Sequence, residues 1–86
     1  MPISELTLAE RVARVLAGEA FSSNAEGSDP SAGPKVDLVW KEHSGQALAV
    51  LRTLREPDQM MASAGDAEIW SRMVEAAIAE AEASAD

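Results

Sequence analysis

Apolar residues recur at helical spacing three times along this 86-residue chain, separated by a polar stretch and by a proline-glycine corner. Projected at about 100° per residue, Leu8, Val12, Val15 and Leu16 share one face, while Glu10 and Arg14 stand four apart on the other side, the spacing of a helical ion pair. Thr7-Leu8-Ala9-Glu10 has the form of a capping box, and Gly18 suits a left-handed stop, so the pattern predicts a first helix over residues 7–17. Residues 19–34 then hold Phe21 as their one large apolar side chain among Ser, Gly and Pro, the composition of a polar loop pinned at its start by that aromatic.

The strongest pattern follows. Val36, Val39, Trp40, His43, Ala47, Val50, Leu51 and Leu54 project within about 60° of one direction, and Lys41, Glu42, Gly45, Arg52 and Thr53 project oppositely. This predicts a continuous helix over residues 35–56, ended by Pro57, because a residue preceding proline is pushed out of the helical region. Pro57 is compatible with a first helical turn, Asp58 with the positive end of a helix dipole and Gly65 with a left-handed stop, which predicts a short helix over residues 57–64. Asp66 reads as the cap of a last helix over residues 66–81 that buries Ile69, Trp70, Met73, Val74, Ala77, Ile78 and Ala81 and leaves Glu68, Arg72, Glu75 and Glu82 wet. Glu80 and Glu82 lie at its negative end, so fraying is expected beyond residue 80. The expected fold is all-α: one domain over residues 1–86, a three-helix unit with a short connecting helix.

Composition changes this picture in one respect. Alanine supplies 17 of the 40 hydrophobic residues, and an alanine buries little area, so the core must be thin. Small domains with such cores need a staple, and the absence of cysteine removes disulfides and thiolate metal sites. Self-association remains, and a homodimer completed along the 35–56 helix is expected.

Residues 47–78 resemble a pattern seen in small uncharacterised bacterial and phage-type helical proteins: Leu54-Arg55-Glu56-Pro57, Met61, Ala64-Gly65, Trp70, Met73 and Ala76-Ala77. The resemblance implies a helical-hairpin unit and a mobile-element origin. It carries no activity with it.

The net charge is −8, of which residues 66–86 contribute −5 (six acids and Arg72). Such a surface repels phosphate backbones and anionic lipid, which argues against nucleic acid and membrane as direct partners. The opening Met1-Pro2-Ile3-Ser4-Glu5 has neither a basic region nor an apolar run, so no secretory signal and a cytoplasmic location are expected.

Candidate chemistry is sparse. His43 is the only histidine, and the positions three and four away are Val39, Trp40, Gln46 and Ala47, none of which completes a helical metal pair. Asn24, Glu26, Ser28 and Asp29 cluster oxygens, but counting a calcium loop from Asn24 puts glycine at position four and lysine at twelve, out of register with an EF-hand. A helix-turn-helix recognition helix at Glu68–Glu75 offers one arginine against two glutamates. No enzyme, cofactor, metal or small-molecule substrate is expected. Met60, Met61 and Met73 with Trp40 and Trp70 fit either core packing or an adaptable apolar surface. The sequence therefore points to a non-catalytic interaction or self-association module, with Val36, Trp40, His43, Leu51, Met60, Met61, Trp70 and Met73 as its candidate surface. The alternatives are an acidic nucleic-acid mimic that binds a DNA-binding protein and, behind it, a helix-turn-helix regulator.

Overall fold

In the computed structural model, which describes residues 2–24 and 32–84, Thr7 Oγ1 accepts the Glu10 amide at 3.0 Å and starts the first helix, α1 (Leu8–Asn24). The reciprocal half of the capping box is replaced: Glu10 Oε2 instead accepts from Arg14 Nε at 2.9 Å, one turn on. The helix passes through Gly18 and runs on to Asn24, overriding the stop expected there. A Cβ on Gly18 would stand 3.8 Å from Val36 Cγ2, an ordinary contact, so this position faces the next helix without requiring a glycine. Residues 19–24, expected in a loop, are thus helical. The Phe21 side chain and residues 25–31 lie outside what is described.

The expected 35–56 helix is broken into three pieces. They are α2 (Ala32–Val39), a 3-10 turn (Trp40–His43) and α3 (Ser44–Leu54). Val39 leaves helical geometry at φ −123°, ψ 0°, and the tighter turn that follows changes the angular step per residue, so the 36–40 and 47–54 segments no longer share one face. On α3 the buried centre rotates towards Leu48: Ala47 and Leu51 have no exposed surface and Leu48 is half-buried, whereas Val50 and Leu54 are each 36% exposed. Leu38, on α2, is 84% exposed.

Asp58 rather than Pro57 opens α4 (Gln59–Ala64), its carboxylate accepting the Met61 amide at 3.0 Å. Gly65 follows at φ −161°, an extended conformation open to any residue, in place of the expected left-handed stop. Asp66 then caps α5 (Ala67–Ala83) by accepting the Ile69 amide at 3.0 Å. This helix stays formed past residue 80. Ser84 Oγ donates to the Glu80 carbonyl at 3.0 Å, and Glu82 accepts from Arg52 Nη2 at 3.0 Å, which fastens the last turn to α3.

The fold is all-α, with α1, α3 and α5 packed on one another and no strand among the described residues. Leu51, Val74 and Ile78 form the core, with Leu8, Val12, Leu48, Trp70 and Ala77 packed against them. Beside it Ala13, Ala17 and Ala47 are wholly buried, short side chains that let helices approach closely. Leu51 is the one large side chain with essentially no exposed surface among the described residues, so the core is as thin as the alanine content implied. The centre of the apolar stripe on α3 is covered by α1 and α5 of the same chain.

Two further contacts hold the α1–α2 corner. Arg14 Nη1 donates to Asp37 Oδ1 at 2.5 Å while its Nε holds Glu10, and its guanidinium carbon lies 5.4 Å from the Trp40 ring centroid. The bond to Asp37, and next the bond to Glu10, raise the Arg14 pKa above the usual arginine value, so this cation persists throughout the ordinary pH range.

Candidate functional site

The described surface includes two concave regions. The first is an open groove of about 380 Å³ between α4 and α5. Pro57, Met61 and Ala64 supply one wall and Ile69, Trp70 and Met73 the other, with Gly65, Asp66 and Ala67 across the end. The two aspartate caps build it. They start α4 and α5 within eight residues of each other with an extended Gly65 between, and residues of both helices line the groove. With six residues and no buried side chain, α4 covers little of its neighbour.

Ile69 and Met73 are left uncovered as a result, at 46% and 66% exposure, where helical periodicity places both inward, Met73 being also a candidate surface residue. The apolar residues of α5 span roughly half of its circumference, wider than one packing face. Its contacts with α3 and α1 take the half-circle centred on Trp70, Val74 and Ile78, and the Ile69–Met73 flank is surplus. That width is the signal by which the groove could have been found from the sequence. Trp70 belongs to both regions: it packs on the Leu51 cluster, lines the groove, and donates from Nε1 to the Leu54 carbonyl at 2.6 Å.

The other expected surface residues are dispersed. Met61, Trp70 and Met73 meet in the groove, and Met60 projects from α4 at 81% exposure without lining it. Val36 is half-buried beside Gly18, and Trp40 is half-buried beneath the Arg14 guanidinium with the Lys41 ammonium 5.8 Å from its ring centroid. His43 is half-buried, its Nδ1 2.8 Å from Gln46 Oε1. Leu51, wholly buried, belongs to the core and is no part of an exposed surface.

The second cleft, about 530 Å³, lies between the start of α1, the 3-10 turn with α3, and the end of α5. Its titratable lining groups are Glu10, bound to Arg14, and Lys41, set against Trp40. Nothing there pairs a nucleophile with a base. Three of the four oxygen-bearing residues of the calcium-like cluster, Glu26, Ser28 and Asp29, lie outside the described residues, and among those described no group of three or more His, Asp or Glu side chains could hold a metal ion. No described helix is long and apolar enough to cross a membrane.

Comparison with protein-family models, with curated proteins and with solved structures finds no match to this chain. The geometry of the groove is therefore what a functional reading has to stand on.

Proposed function

We propose that this chain is a non-catalytic interaction module whose binding surface is the groove between α4 and α5. The observation that carries the reading is the pair Ile69 and Met73, two large apolar side chains one turn apart, left open to water beside Met61 and Trp70 in a single concavity. Scattered surface hydrophobes are ordinary, but a contiguous patch that lines a concavity is the usual form of an interaction site. Methionine suits such a place because its unbranched, polarisable side chain adapts to a partner's shape, and a tryptophan held by a backbone hydrogen bond supplies a rigid anchor. The lining is almost wholly apolar and brings together no acid–base or nucleophilic pair, which favours binding over chemistry.

A photo-crosslinking residue placed at Met73, and at exposed Glu42 as a control, tests the reading in the cell that makes the protein. Adducts of defined mass from position 73 and not from 42 are expected. An adduct of twice 9.1 kDa identifies the homodimer, and any other mass identifies a different protein. Position 73 yielding no more adduct than position 42 would refute the groove as an interaction surface.

A further inference from the structure

We infer that the occupant of the α4–α5 groove is a basic amphipathic helix, a deepening that rests on the interaction reading above. Three observations select this chemistry. The lining offers almost no polar atoms, so an extended peptide would find no partners for its backbone amides and carbonyls, whereas a helix satisfies its own and presents only side chains. The same lining holds no convergent polar groups to orient a small molecule. Charge then decides between a second copy and a different partner. Residues 55–84 carry seven acidic residues against Arg55 and Arg72, and the charged residue in the groove lining is Asp66. Glu56 and Asp58 flank Pro57 in the sequence, and Asp66 and Glu68 flank Ala67, so residues that line the groove have carboxylate-bearing neighbours, two of which, Asp58 and Asp66, accept the amides of Met61 and Ile69. A second copy laid into the groove by its own α4–α5 face would set this acidic segment against itself. A helix with one apolar and one lysine- or arginine-rich face instead places aliphatic side chains on Met61, Ile69 and Met73 and cations near this acidic segment, an arrangement that also speeds encounter.

Three designed peptides of about 18 residues, or five helical turns, test the assignment on the full chain. One is a leucine–lysine helix with leucines at helical spacing, one has glutamate in place of lysine, and one is the leucine–lysine composition in scrambled order. Titration is followed by calorimetry and by the methyl resonances of Met61 and Met73. The amphipathic basic helix is expected to bind and shift both methyls, and the scrambled and acidic peptides to bind at least about tenfold more weakly. The variant Ile69→Gln/Met73→Gln keeps the net charge and should lose at least about tenfold in affinity, while Leu38→Gln, also at an exposed leucine, should lose nothing. If circular dichroism finds the double variant unfolded, Met73→Gln alone carries the comparison. Equal binding of the acidic and basic helices, or a groove-dependent dimer that the basic helix does not displace, overturns the basic-helix assignment and leaves the groove as an interaction surface. No methyl shift with any peptide also overturns it, and the crosslinking at position 73 then decides separately whether the groove binds anything.

Discussion

Trp70 closes the end of a helix that is not its own: its indole Nε1 donates to the Leu54 carbonyl at 2.6 Å, at the last residue of α3. Next to it Ser71 Oγ donates to the Arg55 carbonyl at 2.8 Å. The final carbonyls of a helix have no partner within it, and here two side chains from the first turns of α5 supply them. The arrangement fixes how α5 leaves the corner and, with it, how the Ile69–Met73 flank is presented.

Trp70→Phe keeps an aromatic ring on the Leu51 cluster and removes the donor. We expect a loss of about 0.5–1.5 kcal/mol in urea unfolding, the usual worth of one hydrogen bond. Ser71→Ala should add a further loss of similar size, and the double variant should show coupling, because both bonds close one helix end. No change in either variant would mean that water replaces both donors at no cost.

Gly18→Ala should stabilise the protein by about 0.5–1 kcal/mol, since the position is inside α1 and the added methyl makes an ordinary contact with Val36. A left-handed helix stop at the same glycine would give the opposite sign. Thermal unfolding of the single variant therefore reads directly whether α1 continues past residue 18.

Asp66→Ala removes the cap of a 17-residue helix and should cost about 1 kcal/mol. Asp58→Ala removes the cap of a six-residue helix that buries nothing, and a similar loss there should show mainly as faster amide exchange over residues 59–64. If the groove needs α4 in place, this variant also weakens binding while leaving global unfolding nearly unchanged.

Leu51→Ala should cost about 2–5 kcal/mol, a large share of the stability of so small a core, and is expected to leave the chain largely unfolded. Met73→Ala should stay within about 0.5 kcal/mol of the parent, because the side chain is exposed. Comparable losses in the two variants would place Met73 in the core after all.

Local chemistry carried most of what was legible in the sequence. The Thr7 and Asp66 caps, the Glu10–Arg14 pair and the all-α class depend on residues within a turn of one another. Features set by a distant neighbour were not legible. Gly18 has the residue type of a stop, but glycine permits a left-handed residue without imposing one, and the helix runs on to Asn24 with Val36 packed beside it. The stripe from Val36 to Leu54 looked continuous because a projection assumes a constant turn per residue, and the 3-10 winding at Trp40–His43 breaks that assumption. Likewise the apolar width of α5 is visible, but periodicity does not say which part of a wide stripe its neighbours cover, so it places Ile69 inward and leaves Met73 between core and surface. Three of the nine residues that line the groove, Met61, Trp70 and Met73, are nevertheless among the candidate residues.

The scarcity of large buried side chains has a thermal consequence. Little apolar surface is exposed on unfolding, so the heat-capacity change is small, the melting transition is broad and stability varies only gently with temperature. For such a chain the margin between folded and unfolded is narrow, and a ligand present at 100 times its dissociation constant adds about 2.7 kcal/mol, a sizeable fraction of the whole. Turnover by cellular proteases follows the unfolded fraction, so a partner bound in the groove, as proposed, would raise the abundance of this protein.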